Sequence, residues 1–317
     1  MMEWLISLLL SVPFSICLAL LLDAWLGEPK KFHPLIGFGN AANWVEHKLN
    51  QNGASRASGL LAWHIMVLPL VLIIGALSVW LTNVSGYALF ALNVVTLYVC
   101  VGQKSLIQHA DWIFQPLKHG DMEGAREKVG WIVSRETSEM MEYQITSATV
   151  ESVLENGNDA VFGALFWFAI LGAPGAVLFR AANTLDAMWG YKNPRYKEFG
   201  FVAARLDDAM GYVPARLTAL SYALLGHTSI ALRCWKQQAS ACSSPNGGPV
   251  MTAGAGALNI TIGGPAVYHG KLQDKIFMGE GDKVTAEDIP RACKLIVRTS
   301  ILWCGLMLAV STAGVLF

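Results

Sequence analysis

The 317-residue chain is short of charge: Asp, Glu, Lys and Arg make up 15% of it, against 54% hydrophobic residues. A soluble domain carries about 25% charged residues. Formal net charge is zero, which removes any global field that would argue for nucleic acid. The six cysteines form no CxxC pair and no metal-ligand spacing, so neither a disulfide framework nor a zinc site is indicated. There is no GxxxxGK followed by Ser or Thr, and no GxGxxG after a strand-like run, which leaves out the P-loop and Rossmann fingerprints. No internal repeat and no low-complexity tract is present. The first apolar run has no basic residue before it and no small-x-small cleavage site, so it reads as a retained span and not a signal peptide.

What the chain has instead is long apolar runs, near 4–25, 60–81, 84–102 and 296–317, with two less clean ones at 161–179 and 212–232. A helix needs about 20 apolar residues to cross a bilayer core. The expected fold is therefore all-α: a polytopic integral membrane protein with about 4–6 membrane helices, built as a single membrane-embedded domain, 1–317. Its place is the cell (inner) membrane. The short "TNVSG" link makes a hairpin of the second and third runs. The connection at 103–159 has no proline between Asp121 and Asp159, and its apolar spacing is helical.

Sidedness is contradictory if all six runs cross. Basic residues mark the cytoplasmic side. Lys30, Lys31, Lys48 and Arg56 place 26–59 inside, and Lys104, Lys118, Arg126, Lys128 and Arg135 place 103–159 inside as well. The connections at 183–211 and 234–295 are both basic, yet one run separates them. "LGAPGA", 171–176, offers a way out, because Gly and Pro there break the fourth run.

Four polar stretches stand out. "LLDAWLGEPKKFHP" ends an apolar run in Asp23, a costly place for a carboxylate, and is followed by Glu28 and His33. A helix stop explains its Gly, Pro and Lys but not Asp23. "ATVESVLENGND" sets Glu151, Glu155 and Asn158 on one helical face. Carboxylate and amide oxygens of that kind suit Mg²⁺, although an exposed acidic face has the same pattern. "VLFRAANTLDAMWGY" puts Arg180, Asn183 and Asp186 in one polar stripe, and Arg205, Asp207, Asp208 and Arg216 follow. Arginines grip phosphate and paired carboxylates hold its metal; simple Arg–Asp pairing between packed segments is the other reading. "SPNGGPVMTAGAGALNITIGG" is glycine-rich, which lets backbone approach a ligand.

In this order, with "IVSRETSEM" and "VPARLT", these stretches resemble the CbiB/CobD family of cobalamin biosynthesis, the membrane cobinamide-phosphate synthases, along nearly the whole chain. Gly211 departs from the resemblance, standing where a side-chain amide is expected. The resemblance implies a carbon–nitrogen ligase. It would use ATP with Mg²⁺ to join (R)-1-amino-2-propanol, or its O-phosphate, to a propionate of adenosylcobyric acid. Its partners would be these substrates and the lipid bilayer, with a homo-oligomer or a complex with other cobalamin-assembly enzymes also open, and no nucleic acid or permanent cofactor. Glu151, Glu155, Asp207 and Asp208 would hold Mg²⁺. Arg180, Asn183, Arg205, Arg216, Asn158 and Asn246 would bind substrate or phosphate. Asp186, His33 and Asp23 would be the catalytic candidates, and the glycine-rich stretch would lie against the corrin. The alternatives are an AmpE-like membrane sensor, which does not need acidic pairs and arginines together, and a corrinoid transporter, which suits broken helices but not the bulk of polar connections.

Overall fold

The computed structural model describes residues 11–29, 33–51, 55–268 and 271–316. The start of the first apolar run, Lys30, Lys31 and Phe317 lie outside the described residues. The chain forms two compact units, one from 1–102, 159–211 and 304–317, the other from 103–158 and 212–303.

The first unit begins with α1 (Val12–Leu26) and α2 (Pro34–Leu49). Then come the apolar α3 (Arg56–Val84) and α4 (Gly86–Cys100). Ser85 ends α3 and caps α4, its Oγ accepting from Ala88 N at 3.3 Å, so the expected hairpin turns on a single residue. α1 lies on α4, with Phe14 stacked on Phe90. Among the described residues, three helical segments are long and apolar enough to cross a membrane: Arg56–Val84, Gly86–Lys118 and Asp288–Thr312. α1 is a shorter apolar helix.

The run at 161–179 does not continue straight. It follows a π-turn at Asn158–Phe162 and is split into α8 (Gly163–Leu171) and α9 (Ala173–Trp189). The residues that precede it in the chain, 103–158, belong to the second unit. Gly172 adopts φ 66°, a conformation open to glycine, and Pro174 starts the next helix. A Cβ on Gly163 would overlap the Phe179 ring. In a straight helix those two residues would stand roughly 24 Å apart, so the chain reverses here. The nine residues of α8 also fall well short of the bilayer core. The run at 212–232 is likewise divided, between α10 (Phe201–Leu225) and α11 (Thr228–Gln238). With neither run a plain crossing helix, the basic connections on either side of them no longer demand opposite faces.

The second unit contains α5 (Gln103–Lys118), α6 (Met122–Val129), α7 (Glu142–Gly157), α11, α12 (Gly247–Leu258) and the first part of α13 (Asp288–Leu316). Every residue of α12 is buried. Its small residues let neighbours come close: a Cβ on Gly254 would meet Leu154 at 2.6 Å, and one on Gly256 would meet Ala231 Cα at 2.8 Å. The Gly247–Leu258 part of the glycine-rich stretch is thus a core helix packed against protein, while Gly263 at its far end lines a cleft. After this helix come five short strands that the apolar pattern did not announce. β1 (Ile260–Gly263) pairs antiparallel with β4 (Phe277–Gly279) and parallel with β5 (Asp282–Lys283). β2 (Ala266–Tyr268) pairs with β3 (Lys271–Gln273).

Candidate active site

In the first unit, α9 ends in Trp189, which packs edge-on against Phe199 at 5.1 Å, both fully buried. That contact closes the 190–200 loop and brings the start of α10 back to α9. Gly200 is required at the return, because a Cβ there would overlap the Trp189 carbonyl. As a result Asn183 Nδ2 donates to Asp207 Oδ1 at 3.3 Å, across 24 residues of sequence. Asp186 sits one turn beyond Asn183 and its carbonyl accepts from Gly190 N at 2.7 Å. Gly190 lies so near that a Cβ would overlap Asp186 Oδ1.

Too much negative charge gathers here for all of it to ionise freely. Burial first, then the charges of Asp159 and Asp208, raises Asp186 to about 6. Burial, Asp159 and Asp186 raise Asp207 to about 8, against the pull of the Asn183 hydrogen bond. Burial raises Asp208 too, while Arg205 and Lys192 oppose it. Arg205 reaches Asp208 at 3.9 Å across an exposed turn.

Arg180 is the counterpart. Its Nε is completely buried and has no hydrogen-bond partner among the described residues, even though the residue as a whole is half-buried. The guanidinium lies in the field of Glu28 and Asp159. Tyr98 Oη donates to Gly27 O at 2.6 Å, which fixes the turn after α1. A Cβ on Gly102 would stand 3.1 Å from Glu28 Oε1 and 3.9 Å from Arg180 Nη2, so glycine keeps this corner open. Asp23 is buried within α1, close enough to Tyr98 to act on it. His33 serves its own helix: its Nδ1 caps α2, accepting from Leu35 N at 3.2 Å.

In the second unit several of the polar residues are paired with one another. Glu151 takes an ion pair from Arg135 at 3.0 Å and a hydrogen bond from Ser147 Oγ at 3.0 Å, and Ser147 Oγ accepts from Gly263 N at 2.6 Å. Arg135 and Ser147 line a cleft of about 180 Å³ with Ser138, Gln144 and Ala266. Glu155 lies against Gly247 at the N-terminus of α12, where a Cβ would overlap its Oε1; a helix N-terminus favours a carboxylate. Arg216 donates through Nη1 to Asn246 Oδ1 at 2.9 Å and through Nη2 to Pro245 O at 3.1 Å, stacked on Tyr212. Asn158 Oδ1 accepts from Thr218 Oγ1 at 3.2 Å.

So the structure brings Arg180, Asn183, Asp186, Asp207 and Asp208 together in one unit, and it adds Asp159 and Glu28. Glu151, Glu155, Asn158, Arg216 and Asn246 belong to the other, where Arg135 and Ser147 join them. No group of three or more Asp, Glu, His or Cys arranged as a metal cage occurs among the described residues. Mg²⁺ in phosphate-transfer sites keeps several waters and takes only one or two carboxylates beside the phosphates. The hard oxygens of Asp207, Asp208 and Asn183 fit that donor set.

The family model described as "CobD/Cbib protein" matches residues 16–296. The chain is 50% identical over 311 residues to the "Cobalamin biosynthesis protein CobD" of Chromobacterium violaceum, covering 92% of this chain and 94% of that one. It is 50% identical over 291 residues to the protein of that name from Stutzerimonas stutzeri, covering 90% and 94%. The Mycobacterium tuberculosis (strain H37Rv) counterpart is 36% identical over 287 residues, covering 89% and 90%. No solved structure matches.

Proposed function

The chain belongs to the CobD/CbiB family, and from that premise we propose that it acts in cobalamin biosynthesis as an ATP-dependent amide ligase of the cell membrane. Its three apolar helices and its family make it a membrane protein. The reaction joins the nitrogen of (R)-1-amino-2-propanol, or of its O-phosphate, to a propionate of adenosylcobyric acid. The single observation that carries this reading is the crowd of Asp159, Asp186 and Asp207, with Arg180, whose Nε is buried without a partner among the described residues, in the field of the same Asp159. A sealed guanidinium nitrogen calls for an anion. Crowded carboxylates with raised pKa call for a cation or a proton.

ATP with Mg²⁺, when bound, supplies the phosphoryl group that turns the inert propionate into an acyl phosphate. Arg180 binds the phosphoryl oxygens and keeps its charge throughout. Asp207 and Asp208 are the residues that would hold Mg²⁺, with Asn183 orienting Asp207. The amine nitrogen attacks the acyl carbon, the C–N bond forms, and phosphate leaves. The proton that nitrogen must shed goes to the Asp186 carboxylate. A value near 6 keeps Asp186 mostly ionised at neutral pH yet basic enough to take it.

The test is detergent-purified protein with adenosylcobyric acid, ATP, Mg²⁺ and each amine in turn, read by mass spectrometry. The expected result is the amide mass with one ADP per product. Absence of the amide with both amines, from protein that is folded, removes the reading. Retention of phosphate in the product identifies which amine is used.

A further inference from the structure

The second unit contains a groove that the proposed reaction does not use. It runs between α5 and the start of α13 and encloses about 480 Å³. Ile107 and Phe114 form one wall, Ile289, Pro290 and Val297 the other. Lys294 and Arg298 lie along its edge, one turn apart on α13, and they also line an adjoining cavity of about 350 Å³ with His227 and Arg291. Arg291 is spent on Asp288 and on Leu258 O. Lys294 and Arg298 are exposed and have no ion pair or hydrogen bond among the described residues. The one acidic lining residue, Asp111, accepts from Gln115 Nε2 at 2.8 Å on the opposite wall. An apolar trough whose rim sets two exposed cations against one carboxylate is complementary to an anionic amphiphile.

Its position in the bilayer agrees. α5 (Gln103–Lys118) is separated from the apolar α4 by a break at Val101 and Gly102 and is strongly amphipathic, as a helix at a membrane surface is. On α13, Lys294 and Arg298 stand roughly 9 and 15 Å from Asp288, near one end of that crossing segment. Ser300 Oγ donates to Gln103 Oε1 and ties the two helices at the inner end of the groove. Beside it, Trp112 and Trp131 meet edge-on at 6.1 Å, both substantially exposed, with Lys128 over Trp131 at 3.7 Å. Exposed tryptophans with lysine mark the headgroup level.

We propose that this groove binds an acidic phospholipid, its phosphate on Lys294 and Arg298 and an acyl chain along the apolar wall. Basic pockets between membrane helices on the cytoplasmic face are built for that chemistry. A free phosphate ion would use the cations but not the trough.

The probe is phosphatidylglycerol, titrated onto the detergent-purified full chain and followed by native mass spectrometry, with phosphatidylcholine as the uncharged comparison. The wild type is expected to take up one phosphatidylglycerol well before it takes phosphatidylcholine. The double variant Lys294→Ala, Arg298→Ala should weaken phosphatidylglycerol by about thirtyfold, the contribution of two basic residues at an anionic surface. If that variant does not fold, Lys294→Gln alone should weaken it about fivefold, and Val297→Trp should block the trough with both cations intact. Equal binding of the two lipids, or unchanged binding in folded variants, overturns the proposal. Displacement of the lipid by inorganic phosphate would make the site one for a free ion and overturn it too. So would a dimer that dissociates as lipid is added to either wild type or variant, since a second copy would then occupy the groove.

Discussion

Asp186 and Glu151 are both carboxylates largely withdrawn from solvent on polar helix faces, and the protein treats them in opposite ways. Glu151 has a guanidinium on one oxygen and a hydroxyl on the other, and its Ser147 partner is itself held by Gly263. Asp186 has the charges of Asp159 and Asp208 for company, and the same Asp159 acts on Arg180, whose Nε is buried without a partner among the described residues. In a buried ion pair of this kind the carboxylate's charge is already answered. A crowd of like charges that burial pushes toward neutrality holds free energy that a cation, a proton or a substrate can release. By this contrast the proposed chemistry falls to the first unit, while Glu151 is held by Arg135 and Ser147.

The contrast can be broken from either side. The largest stability effect should come from Arg135→Ala, which strands Glu151 with only Ser147. Loss of one partner from a buried pair costs about 3–5 kcal/mol, and thermal unfolding in detergent will show it. Gly190→Ala should cost less, about 1–3 kcal/mol, by overpacking against Asp186. Its effect on turnover should exceed its effect on melting, because the side chain it displaces is the proposed base.

A smaller effect is the pH dependence of stability. Asp186 and Asp207 bind protons more tightly folded than unfolded. What they contribute is therefore fully present below about pH 4, and it is lost as pH rises through about 6 and then about 8. Melting points across that range should fall in the wild type and fall less in Asp186→Asn. The smallest effect is expected of Arg205→Ala. Its exposed 3.9 Å pair with Asp208 should be worth under about 1 kcal/mol, visible in unfolding only as a minor shift.

The sequence made some of this legible and hid the rest for physical reasons. The segments 60–81 and 84–102 are uncharged for so long that only a crossing helix satisfies their backbone. Arg180, Asn183 and Asp186 could be seen as one stripe because helical periodicity is local. The Asn183–Asp207 contact could not, since the Trp189–Phe199 packing that folds the 190–200 loop makes it. Glycines in "GGPVMTAGAGAL" suggested contact with a ligand, but Gly254 packs against Leu154, Gly256 against Ala231, and Gly247 and Gly248 against Glu155 and Ala239. Arg135 was in plain view within "IVSRETSEM", but its pairing with Glu151 depends on a loop meeting a helix. Strands of two to four residues leave too little alternation to register.

The most direct test of Asp186 as the base is product formation by purified Asp186→Ala, with adenosylcobyric acid, ATP, Mg²⁺ and amine, read by mass spectrometry alongside its melting curve. Removing a buried, crowded carboxylate should leave the protein at least as stable as the wild type. Product should then fall about a hundredfold or more, the loss expected of a general base. A folded Asp186→Ala protein that forms the amide at the wild-type rate would contradict that role.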